Sequence, residues 1–143
     1  MKIRKATGKD LKQIARIFIN EYSKFPYEEN WKENIVLAKV KKYLRSERKI
    51  FVLTVDKEIT GFIIFSKNIW DDGDHLVIDE LVIDSKFQGR GIGKQLMSFA
   101  EKYFNHIVSI DLWTFRKAKA YKIYKKWGYK DHQHGIMMTK KIK

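Results

Sequence analysis

A glycine-rich turn lies between a predicted strand and a predicted helix in the second half of the chain. It reads QGRGIGK from Gln88 to Lys94 and directly follows the β-rich run at residues 75–84. Glycine lets a backbone turn sharply and approach a ligand without interference from a Cβ atom. A helix start adds unpaired N–H groups and the positive end of the helix dipole. Together with the charges of Arg90 and Lys94, the turn therefore predicts an anion site suited to phosphate.

Neither of the two common phosphate-binding motifs is present in this turn. The dinucleotide pattern G-x-G-x-x-G, started at Gly89, needs a glycine where Lys94 stands. The P-loop needs a glycine and a Ser or Thr where the chain has Gln88 and Gln95. Binding of NAD or of a nucleoside triphosphate therefore loses support.

The rest of the chain predicts a single α/β (α+β) domain over residues 1–143, with no linker to divide it. Strand-like and helix-like runs follow in the order β-α-α-β-β-β-α-β-α-β. The first half favours antiparallel hairpins and the later strand-helix-strand unit favours parallel pairing. We therefore expect a mixed, mainly antiparallel central sheet with helices on both faces. The predicted strands are 1–6, 50–55, 59–66, 75–84, 107–115 and 136–142; the helical patterns cover 11–22, 31–44, 92–103 and 117–127.

Composition narrows the location and the chemistry of the protein. The chain has no cysteine, which excludes disulfides, thiolate metal sites and a cysteine nucleophile, and fits a reducing cytoplasm. The charged N-terminus lacks the apolar stretch of a signal peptide, and no apolar run reaches the roughly 20 residues that span a bilayer. We therefore expect a cytoplasmic protein with no membrane partner. The net charge of +13 attracts anions, but it does not indicate whether the partner is nucleic acid, an acidic membrane or a phosphorylated cofactor.

The turn resembles the pyrophosphate-binding motif of the GNAT (Gcn5-related N-acetyltransferase) family, Gln/Arg-x-x-Gly-x-Gly/Ala. Gln88, Gly91 and Gly93 fill this pattern without a gap. The preceding run LVIDSKF, at 81–87, is similar to the family's strand and turn, although Ser85 stands where many members have proline. A second family signature, alanine followed by aromatic-Tyr-x-x-x-Gly-Phe, is closely matched near the C-terminus by Ala120, Ile123, Tyr124, Gly128 and Tyr129.

The resemblance implies the acyl-CoA N-acyltransferase fold and transfer of an acetyl group from acetyl-CoA to an amine by direct attack. It implies Tyr124 as the general acid, because a tyrosine of pKa about 10 is protonated at neutral pH and can protonate a thiolate. The helical stripe that Tyr124 shares with Ala120 and Trp127 also fits a core position. The implied cofactor contacts are Leu81, Val82 and Ile83 for the pantetheine arm, and Gln88, Gly89, Arg90, Gly91, Ile92, Gly93 and Lys94 for the pyrophosphate.

The choice of base stays open at this point. Glu80 stands where many family members have a glutamate, and a partly buried carboxylate with a raised pKa accepts an ammonium proton, directly or through water. Asp79 should face the opposite side of a regular strand, and a bulge would exchange the two. Asp111 and water alone are further candidates for the base, and a salt-bridged carboxylate without a catalytic role fits each position equally. Lys117 replaces a family asparagine that contacts the cofactor, and would approach a phosphate or lie on a solvated helix face.

No metal site is predicted. His132 and His134 are close in sequence but lack an obvious third ligand. The acidic run DDGD, at 71–74, is similar to a calcium loop but lacks the closing glutamate. We expect residues 68–74 to form a loop on the acceptor side, where negative charge attracts an amine.

Two other functions are compatible with the residues. Residues 116–130 combine seven Lys or Arg side chains with aromatic residues, which fits a basic nucleic-acid-binding domain, although no recognised nucleic-acid motif supports it. The second compatible function is that of a GNAT-like protein that binds acyl-CoA without catalysis. The acceptor is not named by any motif, so polyamines, amino acids, aminoglycosides and peptides or proteins all stay open. We expect residues 22–31 to shape its pocket, and the family often forms homodimers.

Overall fold

Five β-strands and four α-helices make up the protein, and its computed structural model describes all residues from 1 to 143. The strands are β1 (Lys2–Lys5), β2 (Lys49–Val55), β3 (Glu58–Trp70), β4 (Gly73–Ile83) and β5 (Ile107–Leu112). The helices are α1 (Leu11–Tyr22), α2 (Glu33–Leu44), α3 (Ile92–Glu101) and α4 (Lys119–Lys126). Short 3-10 turns occur at Gly8–Asp10 and Ser85–Phe87.

The strands form one mixed sheet in the order β1-β2-β3-β4-β5. The first four strands are antiparallel neighbours, and β5 pairs parallel to β4. The parallel pair is joined through α3, as the long crossover between parallel strands requires. The prediction of a mixed, mainly antiparallel sheet is confirmed.

Helices α1, α2 and α3 cover both faces of this sheet. On one face, side chains of α1 and α2 form a buried cluster with alternate residues of β2 and β3, among them Phe18, Val52 and Phe62. On the other face, the ring centroid of Phe51 in β2 lies 4.5 Å from that of Phe99 in α3. Adjacent residues of a strand point to opposite faces, so the apolar run of β2 supplies both layers of the core.

A β-bulge in β4 changes the face to which its side chains point. Glu80 pairs with Ile64 and Ile78 pairs with Phe65, so Asp79 is an extra residue that the regular alternation of β3 does not match. Before the bulge, Ile78 shares the face of Phe65, whose ring contacts that of Tyr103, just after α3. After it, Glu80 shares the face of Ile64, which packs with α1 and α2.

The chain divides into two compact units. The first, Met1–Trp113, contains the sheet and α1 to α3, and the second, Thr114–Lys143, contains α4. The prediction of one domain over the whole chain stays a prediction. No helix in either unit is both long and apolar enough to cross a bilayer.

Two predicted elements are wrong. Residues 129–143 lie in no helix or strand, and Ile136 and Met138 are exposed, so the strand predicted at 136–142 does not form. A segment forms a strand only where a neighbouring edge supplies backbone hydrogen bonds. The acidic loop predicted at 68–74 is instead the end of the β3–β4 hairpin, in which Trp70 pairs with Gly73. The φ angle of +134° at Gly73 allows this tight return of the chain.

Candidate active site

β4 has two parts with different neighbours. From Asp74 to Ile78 it pairs with both β3 and β5, whereas from Glu80 to Ile83 it pairs with β3 alone. We call residues 74–78 the paired half of β4 and residues 79–83 its open half. On the β5 side, the backbone of the open half borders no strand. Such an edge accepts an extended ligand as an added strand through main-chain hydrogen bonds.

The glycine-rich turn follows the open half and leads into α3. Gly89 and Gly91 both have a φ angle of +79°, which other residues adopt only with strain. A Cβ atom on either glycine would meet no atom within 4 Å, so the backbone faces open space here. Ile92 and Gly93 form the first turn of α3, whose N–H groups have no acceptor within the helix. This geometry suits an anionic group.

The side chains of the turn divide between solvent and protein. Arg90 and Lys94 are exposed, and the Arg90 guanidinium lies 5.3 Å from the centroid of the Phe87 ring. The Gln88 amide donates hydrogen bonds to the Ile83 carbonyl at 2.9 Å and to a Glu21 carboxylate oxygen at 3.2 Å. The Gln88 side chain therefore holds the turn against the end of β4, while the backbone of the turn stays at the surface.

Glu80 lies at the start of the open half, on the sheet face that carries α1 and α2. Its carboxylate accepts a hydrogen bond from the hydroxyl group of Tyr22, the last residue of α1. Burial raises the pKa of Glu80 to about 6, and the Tyr22 hydrogen bond and the Lys39 charge oppose this rise. A carboxyl group with this pKa is mostly ionised at pH 7 and is a stronger base than an exposed glutamate.

Tyr27, in the segment after α1, lies near this carboxyl group. The ring centroids of Tyr22 and Tyr27 lie 5.0 Å apart, in an edge-to-face contact. Burial raises the pKa of Tyr27, and the charges of Glu29 and Glu80 add to the effect. The Trp31 indole donates a hydrogen bond of 2.9 Å to Glu29. The structure thus brings part of residues 22–31, the segment expected to shape the acceptor pocket, into the electrostatic neighbourhood of Glu80.

Because of the bulge, the Asp79 side chain does not lie on the face that a regular strand predicts. A regular strand would point Asp79 away from Glu80, but its carboxylate accepts a hydrogen bond of 3.3 Å from Ser66, on the same face as Ile64. Asp79 also lies 3.4 Å from Arg48 Nε in an ion pair. Its charge raises the pKa of Glu80 further. Asp79 is therefore engaged with Ser66 and Arg48 on the sheet face that carries Glu80.

Asp111, the other carboxylate considered from the sequence, lies in β5 opposite Val77, in register with the paired half of β4. Its Oδ2 is 2.7 Å from His75 Nδ1, and His75 Nε2 is 2.8 Å from Asp72 Oδ1. The two carboxylates raise the pKa of His75. Asp111 is therefore engaged with His75. Its partner in β4, Val77, lies three residues before Glu80 in the chain.

The chain contains no group of three or more His, Cys, Asp or Glu side chains arranged to hold a metal ion. The acidic run at 71–74 forms the hairpin end, where Asp74 lies 3.4 Å from Lys67 Nζ. The prediction that the reaction needs no metal stays a prediction.

The second unit carries the other predicted catalytic residue. Tyr124 is buried in α4, and its ring centroid lies 5.6 Å from that of Trp127 and 5.8 Å from that of Tyr129. Lys117 is exposed and precedes α4, which begins at Lys119. The general-acid role of Tyr124 and the cofactor contact of Lys117 stay predictions.

Sequence reasoning did not foresee the contacts that the last turn of α1 makes with this region. Tyr22 lies 58 positions from Glu80, and Glu21 lies 64 positions from its partner Ser85. Helical spacing identified Tyr22 as the last member of an apolar stripe. Contacts over such separations leave no periodic or motif signal in a single sequence, so no pattern named the partners.

Known proteins share this fold over nearly the whole chain. A possible acetyltransferase from Clostridium difficile 630 is 20% identical, with a TM-score of 0.84 over 99% of this chain and 98% of that one. A transcriptional regulator from Bacillus halodurans C-125 is 22% identical, with a TM-score of 0.76 over 96% and 98%. An acetyltransferase from Trypanosoma brucei is 15% identical, with a TM-score of 0.70 over 96% and 98%. At these identities the likeness shows the fold alone. No match was found among curated proteins.

The fold is thus that of the acyl-CoA N-acyltransferases, as the resemblance implied. The family model described as "Acetyltransferase (GNAT) domain" matches residues 9–139, and the chain therefore belongs to the GNAT acetyltransferase family. Members of this family use acetyl-CoA as a co-substrate, and membership implies an acceptor substrate.

Proposed function

We propose that this protein is an acetyl-CoA-dependent N-acetyltransferase in which Glu80 is the base and Tyr124 the general acid. The observation that carries the proposal is the position of Glu80, a partly buried carboxyl group with a pKa of about 6, at the point where β4 loses its β5 neighbour. A base beside an open strand edge suits an acceptor that must lose a proton, and an ammonium group is such an acceptor.

The residues of the open half and of the glycine-rich turn fit acetyl-CoA. The backbone of Leu81, Val82 and Ile83 lies along the edge that borders no strand, and the pantetheine arm is an extended amide chain suited to it. The exposed backbone from Gly89 to Gly91 suits the pyrophosphate, with Arg90 and Lys94 nearby in the chain. When bound, acetyl-CoA supplies an activated acetyl thioester.

The chain's own groups then handle protons and charge. Glu80 accepts a proton from the ammonium group, directly or through water, which leaves a neutral amine as the nucleophile. A backbone N–H group of the open half donates to the developing negative charge on the carbonyl oxygen. When acetyl-CoA is bound, the new C–N bond would form as the C–S bond breaks, and the Tyr124 hydroxyl group would give its proton to the departing thiolate. The attacking nitrogen would then lose its surplus proton through solvent, which restores the Tyr124 hydroxyl group. No covalent bond to the protein is needed, in keeping with the absence of cysteine.

Calorimetric titration with acetyl-CoA, with NAD and ATP as controls, tests the cofactor site. We expect binding of acetyl-CoA alone, and a weakening of at least roughly tenfold in Gly91→Val, because a branched side chain would fill the open space above the turn. Gly8→Ala is the matched control, since its Cβ also meets no atom within 4 Å and its φ angle is not in the positive range. A folded wild-type protein that does not bind acetyl-CoA overturns the proposal.

Thiol release in the presence of an amine library tests the transfer, and Tyr124→Phe tests the acid. We expect Tyr124→Phe to lower kcat by roughly 10²-fold with an unchanged dissociation constant for acetyl-CoA. Binding of acetyl-CoA without thiol release for any amine would favour a non-catalytic acyl-CoA-binding protein. A kcat unchanged in Tyr124→Phe would remove Tyr124 from the mechanism.

A basic nucleic-acid-binding domain is the second candidate. The second unit, Thr114–Lys143, carries ten Lys or Arg residues and a single acidic residue, Asp131. Nucleic-acid binding that weakens steeply with salt, in a protein that does not bind acetyl-CoA, would favour this function.

A further inference from the structure

The last turn of α1 contacts both parts of the proposed site through two consecutive residues. Glu21 contacts the segment between β4 and the glycine-rich turn, and Tyr22 contacts Glu80 in the open half. Neither residue belongs to the glycine-rich motif or to the C-terminal signature, and the proposed mechanism uses neither of them.

Glu21 is bound to the start of the glycine-rich turn by several hydrogen bonds. Its carboxylate accepts from the Ser85 backbone N–H at 3.1 Å, from the Ser85 hydroxyl group at 2.8 Å and from the Gln88 amide at 3.2 Å. Lys24 lies 3.2 Å from the same carboxylate, whose side chain is only 12% exposed. The segment that would bind the pyrophosphate is thus fixed to α1 by a largely buried, charged acceptor.

Tyr22 contacts the proposed base from the same helical turn. Its hydroxyl group donates to Glu80 Oε2, and its ring is held between those of Phe18 and Tyr27, with centroids 4.6 Å and 5.0 Å away. A tyrosine packed on two sides keeps its hydroxyl group in one position at a small further cost in side-chain entropy. The Glu80 carboxylate is therefore oriented by a fixed donor.

We propose that Glu21 and Tyr22 are positioning residues: Glu21 fixes the shape of the phosphate-binding turn, and Tyr22 orients the Glu80 carboxylate and stabilises its ionised form. This inference rests on the proposed function. Because the two residues are adjacent in one helical turn, α1 sets the spacing between the cofactor-binding turn and the base.

Several charged groups besides Tyr22 act on Glu80. The titratable neighbours come from four parts of the first unit: Tyr22 in α1, Tyr27 and Glu29 in the segment after it, Lys39 in α2 and Asp79 in β4. Burial has the largest effect on the pKa of Glu80 and raises it, and the Tyr22 hydrogen bond has the next largest and lowers it. Tyr22 is therefore the strongest single influence in favour of the ionised base.

An NMR titration of the Glu80 carboxyl carbon in the ligand-free protein tests the role of Tyr22. Glu80→Gln assigns the signal. In Tyr22→Phe we expect the pKa of Glu80 to rise by roughly one unit, because the hydrogen bond that favours the charged form is lost. The acidic limb of the kcat/KM profile should move to higher pH by the same amount. Tyr43→Phe is the matched control, since it removes a tyrosine hydroxyl group from α2. A Glu80 pKa that stays the same or falls in Tyr22→Phe overturns the assignment.

Calorimetry with acetyl-CoA tests the role of Glu21. In Glu21→Ala we expect binding weaker by roughly fivefold to tenfold, and Glu21→Gln should restore most of it, because its amide oxygen still accepts hydrogen bonds from Ser85. Binding by Glu21→Ala as tight as that of the wild type, or tighter, overturns the role.

These outcomes also separate this inference from the proposed function. A wild-type protein that fails to bind acetyl-CoA overturns the proposed function, and with it the role of Glu21. A wild-type protein that binds and turns over, with both variants unchanged, overturns this inference alone.

Discussion

The two halves of β4 differ in their neighbours and in the state of their side chains. The paired half has a strand on each side, and its residues Leu76 and Ile78 are buried on the α3 face of the sheet. The open half has a strand on one side only and carries Glu80, whose burial raises its pKa to about 6. In the paired half, the neighbouring strands on both sides and the buried side chains stabilise the fold. In the open half, the missing neighbour leaves a backbone edge that borders no strand, and the proposed base lies beside it.

Replacing Glu80 with Gln gives the largest effect that we expect from either half. The kcat/KM value should fall by roughly 10²-fold to 10³-fold, because the base is lost while Gln still accepts a hydrogen bond from Tyr22. The dissociation constant for acetyl-CoA should stay near that of the wild type. Steady-state kinetics across pH, paired with calorimetry, check both values. An activity close to that of the wild type would show that water or another carboxylate is the base.

The same substitution should stabilise the fold at neutral pH. The folded-state pKa of about 6 exceeds the ordinary value of 4.5, so the folded protein binds this proton more tightly than the unfolded chain does. The ionised carboxylate therefore costs stability above pH 6 and costs nothing below pH 4.5. Urea unfolding of Glu80→Gln should give a free energy of unfolding higher by about 1 kcal/mol at pH 8, a gap that closes by pH 4. A gap that widens towards acid pH would contradict the raised pKa.

In the paired half we expect the effect to fall on stability instead of activity. Leu76 is fully buried, so Leu76→Ala should lower the free energy of unfolding by about 2–4 kcal/mol through lost burial and the cavity left behind. At a temperature where the variant is fully folded, kcat/KM and acetyl-CoA affinity should change less than about twofold. Val77→Ala, at a half-buried position of the same strand, is the control and should cost less. A folded Leu76→Ala protein that is as inactive as Glu80→Gln would break the distinction between the halves.

The part of the site that sequence predicts well is the part encoded locally. The glycine-rich turn needs only neighbouring residues: Gly89 and Gly91 take positive φ angles, and Ile92 begins the helix. The contact between Tyr22 and Glu80 depends on the path of the chain over 58 positions, and no local pattern encodes it. From the sequence, a bulge that exchanges Asp79 and Glu80 was considered but not located, because a strand sequence does not show where an extra residue is accommodated.

The two wrong predictions, the loop at 68–74 and the strand at 136–142, also result from contacts that a local pattern does not encode. Residues 68–70 contain good strand formers, but the acidic run after them indicated a loop, and pairing with β4 decided the outcome. At 136–142 a last strand was predicted, and no pairing supports it. Strand formation depends on the neighbour more than on the segment itself, whereas helices α1 to α3 form their hydrogen bonds internally and were placed within a few residues.

The bulge lets β4 present side chains of the same numbering parity on opposite faces of the sheet. Leu76, Ile78, Glu80 and Val82 all have even numbers, yet the first two point to one face and the last two to the other, because Asp79 occupies the place between them. Deleting Asp79 would return β4 to simple alternation and keep the Ile78–Phe65 and Glu80–Ile64 pairs on their present faces, whereas deleting Val77 would bring Leu76 and the residues before it to the wrong face of the sheet. The Glu80 side chain therefore keeps its place against α1 without Asp79, and what the extra residue adds is its own contacts with Ser66 and Arg48.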